Sequence, residues 1–184
     1  MKITYFSSQH QAHVLRRSRA RLPLSRLMAM IAAVLVALAG PVQARAAGVC
    51  SDSSALAAPA NDDFANATVL VGDSGTLNDE TTEDATAEAG EPSHDSLPYT
   101  PAHSVWYYWT PSISGHAVIE VVIPDTGAWD PVLAVYTGSA VDALTESAST
   151  HPTGYRIRLE VRVEAGTIYR VAVDGYDSTE SGLF

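Results

Sequence analysis

Residues 155–163 read "YRIRLEVRV", and this strict alternation is the strongest constraint in the chain. Tyr155, Ile157, Leu159, Val161 and Val163 fall on one face, and Arg156, Arg158, Glu160 and Arg162 on the other, as in a half-buried strand. "EAG" and then "TIYRVAVDG" follow, which predicts a hairpin with Gly166 at the left-handed position of a three-residue loop. With Val163 opposite Thr167, Val161 meets Tyr169, Leu159 meets Val171 and Ile157 meets Val173. A two-residue loop would instead set apolar against polar positions. The same register places Glu160 opposite Arg170 and Arg156 opposite Asp174. The four arginines of this region then form the outer face of one hairpin, a neutralising ladder whose opposite-charge pairs contribute about 0.2–1 kcal/mol each.

Shorter β-rich runs precede it: "TVLVG", "SVWYYWT", "HAVIEVVI", "VLAVYTG" and "LTESAS", separated by Gly, Pro, Asp and Ser. No segment past residue 70 sustains a helical period. Many short strands at this spacing predict an all-β domain, an antiparallel sandwich or barrel. It should begin near Asn61, where "NDDFANAT" offers Asn61 as the cap of a single turn with Asp62 and Asp63 at its positive end. In "SVWYYWTP", one face carries Val105, Tyr107 and Trp109, uniformly apolar or amphipathic, and is read as core. Trp106 and Tyr108 then lie toward the outer side. They are either a platform that stacks on a ligand or a satellite core covered by the preceding segment "AEAGEPSHDSLPYTPAH", with the covered reading favoured.

The N-terminus has a different character. Lys2, Arg16, Arg17, Arg19, Arg21 and Arg26 precede the apolar run "LMAMIAAVLVALA" and then small residues at Ala44 and Ala46. That three-part pattern is a secretory signal peptide over residues 1–46, and the run falls short of the roughly 20 apolar residues that span a bilayer. Arg16 and Arg17 match a twin-arginine signal poorly. Export to the outside of the cell or to its surface is expected. Removal of this segment leaves four arginines against 21 acidic residues, a formal charge of −17. So negative a chain is unsuited to nucleic acid or anionic membranes, which bind through basic patches. Cys50 is the single cysteine, so no intramolecular disulfide forms and a core must supply stability. Residues 47–60 read as a disordered Ser/Ala/Pro linker, and residues 61–184 suffice for one domain.

Five motifs in order, "NDDFANATVLVG", "ATAEAGEPSHDS", "HSVWYYWTP", "WDPVLAVYTGS" and "YRVAVDGY", make the region from Asn61 to the chain end resemble the bacterial pre-peptidase C-terminal domain. The resemblance implies a jelly-roll-like, non-catalytic sandwich appended to secreted peptidases or repeated in adhesin-like proteins. Some members of that family bind calcium and some bind extracellular matrix. This chain differs in carrying no attached catalytic domain, and it stops where the family's last strand would start. The apolar "GLF" at its end is expected to begin that strand without completing it.

Catalytic patterns are weak. "GDSG" at residues 72–75 matches a serine-protease nucleophile motif only in part, and its triad partners belong well upstream, so it reads as a turn. His94, His103, His116 and His151 show no paired ligand spacing. Glu88 and Glu91 share one polar loop, with no cleft evident for glycoside hydrolysis. Hard oxygen donors of the kind calcium requires are offered by Asp62, Asp63, Glu88, Glu91 and Asp95. Two roles remain for a non-enzyme: a module binding an extracellular glycan, peptide or matrix surface, with Trp106 and Tyr108 as candidate contacts, or a calcium-stabilised spacer of a larger surface protein. A piece of a secreted peptidase's C-terminal region is a further alternative.

Overall fold

A computed structural model describes residues 3–8, 57–95, 99–124, 129–151 and 154–184, the first of these stretches by its backbone alone. The apolar run, the small residues at 44 and 46, Cys50 and the linker up to residue 56 lie outside the described residues.

Among the described residues nine strands carry the fold: β1 (Ile3–Ser8), β2 (Thr68–Leu70), β3 (Ser74–Leu77), β4 (Val105–Trp109), β5 (Gly115–Val122), β6 (Pro131–Thr137), β7 (Thr145–Thr150), β8 (Arg156–Val163) and β9 (Tyr169–Gly175). Among the described residues, helix is confined to the 3₁₀ turns Phe64–Asn66 and Val141–Ala143. All seven runs picked out by alternation or apolar content are strands. β3 and β1 are additions, the first starting inside the 72–75 segment read as a turn and running on to Leu77, the second within the segment read as a leader.

The strands form two sheets, in the orders β3-β1-β5-β8 and β2-β4-β9-β6-β7. All pairings are antiparallel except β2 with β4, which is parallel, so the second sheet is mixed rather than antiparallel throughout. Both sheets feed one cluster of buried residues. Ala117, Ile119 and Val121 of β5 and Ile157, Leu159, Val161 and Val163 of β8 enter from the first. From the second come Val105, Tyr107 and Trp109, as the alternation of β4 predicts, with Leu133, Val135, Tyr169, Val171 and Val173. Each fully buried aliphatic side chain among them contributes about 1.5–3 kcal/mol of transfer free energy.

The expected β8–β9 hairpin is not formed. β8 pairs with β5, with Ile119 opposite Leu159, whereas β9 lies between β4 and β6, with Val171 opposite both Tyr107 and Val135. The turn itself is as predicted, with Gly166 at φ +77° and Thr167 N donating to Glu164 O at 3.2 Å, but it carries the chain from one sheet to the other. Alternation identified the core faces of both strands except at Tyr155, which lies just ahead of β8 and is exposed, and those faces meet in the shared core instead of side by side. The arginine ladder divides accordingly. Arg156 pairs with Glu120 of β5 at 2.8 Å and Arg158 with Glu160 at 2.8 Å, while Arg170 stands on the other sheet.

The chain's last residues are packed. Phe184 is fully buried against Trp129, with ring centroids 6.2 Å apart, and its N–H donates to Glu80 O at 3.0 Å. Leu183 bridges Thr81 in antiparallel fashion.

Candidate functional site

Asn61 does not cap the first turn. Asp63 occupies that position without a side-chain capping bond. The Asn61 amide instead donates to Trp106 O at 3.1 Å while Trp106 N donates to Asn61 O at 2.9 Å, fixing the domain's start to the outer side of β4.

Trp106 has no exposed surface. Its ring meets Phe64 edge-on at 5.1 Å, His94 at 5.3 Å and Tyr136 at 6.3 Å, inside a second buried cluster with Ala134 and Ala172. The segment before β4 folds over it, as the covered reading expects, so the ring offers no stacking face to a ligand. Tyr108 is half-buried. The Arg170 guanidinium lies 5.3 Å from its ring centroid and 4.5 Å from that of Phe64, so its face is already engaged by a cation.

The carboxylates proposed for calcium are bound to the chain itself. Asp62 accepts from Thr86 N at 2.6 Å and Thr86 Oγ1 at 3.0 Å, Asp63 from Asn66 Nδ2 at 3.0 Å, and Glu88 from Phe64 N at 2.5 Å. Glu91 Oε1 accepts from Ser104 Oγ at 2.7 Å and Trp106 Nε1 at 2.8 Å, and its other oxygen from Glu88 N at 3.2 Å. Asp95 lies 3.5 Å from His151 Nδ1. Asp62, Glu88 and Glu91 thus tie the 82–95 segment to the domain's start and to β4. Among the described residues no three His, Cys, Asp or Glu side chains converge as a metal-binding group. Burial pushes the Glu91 carboxyl up to about 7, against the pull of the Ser104 and Trp106 hydrogen bonds.

A different set of rings meets at the end of the second sheet where β4 begins and β9 finishes. Register sets Val105 against Val173, so the residues before β4 and after β9 become neighbours. The hinge between them is Asp174, fully buried. It accepts from His103 N at 2.8 Å, Ala102 N at 3.3 Å and Gly175 N at 2.7 Å. Burial raises its carboxyl above the usual range, and these backbone donors work against the rise. His103 is held in turn, with Nδ1 2.9 Å from Ala85 O and Nε2 3.2 Å from Ser178 O. Gly175 is required here, because a Cβ at that position would collide with the Glu180 carbonyl.

Above this hinge three half-buried rings stack in a row. Tyr99 lies on Tyr176 with centroids 6.0 Å apart and planes at 29°. Tyr176 lies on His151 at 4.2 Å and 9°. Beside the tyrosines is a cavity of about 390 Å³ lined by Tyr99, Thr100, Pro101, Ala102, Tyr176, Asp177 and Ser178. Its volume is in the range of small-ligand sites, which combine apolar or aromatic walls with a few fixed polar groups. Because Tyr176 is sandwiched between Tyr99 and His151, a ligand in this cavity meets the tyrosines through ring edges or the outer face of Tyr99, beside backbone and Asp177 carboxylate oxygens. Tyr99 stands in the irregular segment ahead of β4 and Tyr176 in the bend directly after β9, and only the pairing of β4 with β9 makes them neighbours. The sequence signal is an aromatic residue beside each of two strands, and it acquires meaning once that pairing is known.

Comparison of the chain with protein-family models, with curated proteins and with solved structures found no match.

Proposed function

We propose that this chain is a secreted, non-catalytic binding module whose ligand site is the Tyr99–Tyr176 cavity. Its partner is an extracellular polymer or protein presenting sugar rings or flat side chains. The observation that carries this reading is the stacked row Tyr99–Tyr176–His151 beside a cavity, held by a buried carboxylate and a backbone-locked histidine. Tyr99, at the end of the row, keeps one face outside the stack, and a tyrosine combines a rigid apolar body with a polar tip. The arrangement we infer for residues 61–184 is a jelly-roll-like β-sandwich of the pre-peptidase C-terminal kind, supported by two sheets that share one core. Residues 1–46 act as the secretory leader and 47–60 as a linker. The acidic balance beyond residue 46 supports an extracellular setting and disfavours nucleic acid as a partner.

The test is retention on an array of glycans, peptides and matrix proteins. Wild type should be retained on a subset, and the Tyr99→Ala/Tyr176→Ala variant should lose that retention while keeping its melting temperature within a few degrees. Retention that survives the double substitution removes the site.

The second reading is a calcium-stabilised spacer, or the same domain as part of a larger surface protein or peptidase. Its candidate carboxylates Asp62, Glu88 and Glu91 lie at the junction of the first turn and the covering segment, where each already accepts hydrogen bonds from the chain. A rise in melting temperature at millimolar calcium supports it, and no rise removes it.

A further inference from the structure

β1 occupies a place that sequence-local strands do not fill. It lies between β3 and β5, antiparallel to both, with Tyr5 opposite Gly75 on one side and Ile119 on the other. Four register pairs join it to β3, from Ile3–Leu77 to Phe6–Ser74, and five join it to β5, from Thr4–Glu120 to Ser8–His116. β3 stands at the end of the sheet order, and β1 is its neighbour there. Without β1 the sheet would separate into the β5–β8 pair and a lone β3, with backbone donors and acceptors facing each other across a gap of two strand spacings, about 10 Å. Unpaired strand edges of this kind template the addition of another strand.

That gap is held open by contacts that do not involve β1. At the start of β3, Trp109 Nε1 donates to Gly72 O at 2.7 Å and Ser112 N to Asp73 Oδ1 at 2.7 Å. Beyond its end, Tyr107 Oη donates to Glu80 Oε2 at 2.8 Å, Thr82 N to Gly182 O at 3.0 Å and Phe184 N to Glu80 O at 3.0 Å. On the far side, Ala117, Ile119 and Val121 of β5 are fully buried and β5 is paired along its length with β8. Both walls are therefore anchored independently of the strand between them.

We propose that the gap between β3 and β5 is a strand-acceptor site, filled by Ile3–Ser8 while the N-terminal segment remains attached and by an extended peptide strand of a partner once that segment is removed. The second half rests on the leader assignment for residues 1–46. The occupant is defined by backbone chemistry. It is a strand of about six residues, antiparallel to both walls, able to donate and accept hydrogen bonds on both edges and free of proline, which lacks the N–H that an interior strand needs. Affinity in such strand addition comes from main-chain hydrogen bonds.

The experiment uses the full chain with a specific protease site inserted between residues 50 and 55. After cleavage, the N-terminal piece is stripped in mild denaturant, and a fluorescent peptide of residues 2–9, "KITYFSSQ", is titrated in and followed by anisotropy. Saturable uptake of one peptide per chain is expected, with renewed amide-exchange protection at His116, Val118 and Glu120, whose backbone groups face the slot because Ile123 N donates to Tyr155 O and the alternate residues of β5 bond to β8. The Tyr5→Pro peptide should bind at least tenfold more weakly. If stripping unfolds the chain, refolding with the peptide should restore the melting temperature of the uncut chain. Absence of uptake, equal binding of the proline peptide, failure of restoration, or stripped chains pairing with each other in place of the peptide would each overturn the proposal. N-terminal sequencing of the exported protein checks leader removal separately, so a retained leader would defeat that assignment without touching peptide uptake.

Discussion

The indole N–H of Trp106 donates to Glu91 Oε1 at 2.8 Å, and the same oxygen accepts from Ser104 Oγ at 2.7 Å. A carboxylate is thereby built into the covering segment at the place where that segment must stay closed over the ring. Burial raises Glu91 from its ordinary 4.5 to about 7, so the folded chain holds this proton more tightly than the unfolded chain does. Its stabilising contribution is whole below about 4.5 and is lost as pH rises through about 7. Glu91→Gln keeps an acceptor for Trp106 and removes the charge. The variant should lose less melting temperature than wild type between pH 5 and 8, and parallel pH profiles would contradict this.

His94 carries the opposite dependence. Its ring is fully buried, with Nδ1 2.9 Å from Tyr136 Oη, and desolvation lowers it from 6.5 to about 3. The neutral ring's contribution is present above pH 6.5 and is lost as pH falls toward 3. His94→Phe should shrink the fall in melting temperature between pH 6.5 and 4. An unchanged acid limb would show that His94 does not titrate on unfolding. Between pH 4.5 and 6.5 the Glu91 and His94 contributions oppose one another, so the two variants should change the slope in opposite senses.

Truncation of Trp106 tests its role as core. The ring fills the space among Phe64, His94, Tyr136 and two alanines, so Trp106→Ala should cost about 3–5 kcal/mol in urea unfolding. A cost near zero would mean that the ring is free to face a ligand after all.

Arg170 gives a smaller, separate prediction. Its guanidinium sits within 5.3 Å of the Tyr108 ring and 4.5 Å of the Phe64 ring, and cation–π contacts contribute about 0.5–1 kcal/mol each at exposed sites, more when desolvated. Arg170→Met keeps most of the apolar stem and should cost about 1–2 kcal/mol on that basis. No loss in urea unfolding would show that the stem alone accounts for the packing.

Alternation made the faces of β8 legible because one side of that strand is wet, whereas β4 is covered on both sides and only the hydroxyl residues Ser104 and Thr110 marked its outer face. Neighbours are a different matter. Leu159 and Val171 look like hairpin partners, since both are core positions flanking a three-residue loop, yet each pairs within its own sheet, and the connecting turn serves a corner as readily as a hairpin. β3 escaped notice because "SGTL" has turn-forming residues and little buried surface. β1 escaped notice because a leader and a strand draw on overlapping sequences, and what fixes Ile3–Ser8 as a strand is its pairing with residues far along the chain, such as Leu77 and Ser74. Tyr99, Tyr176 and His151 were hidden for the same reason: their stacking depends on strand order.

The most direct measurement of the central claim is a backbone amide shift map recorded while the ligand identified on the array is titrated into the chain. Perturbations should concentrate at Tyr99, Thr100, Ala102, Tyr176, Asp177 and Ser178, the residues around the cavity, and leave Trp106 and Tyr108 nearly still. Saturable binding whose perturbations lie elsewhere, with Tyr99 and Tyr176 unmoved, would contradict the account.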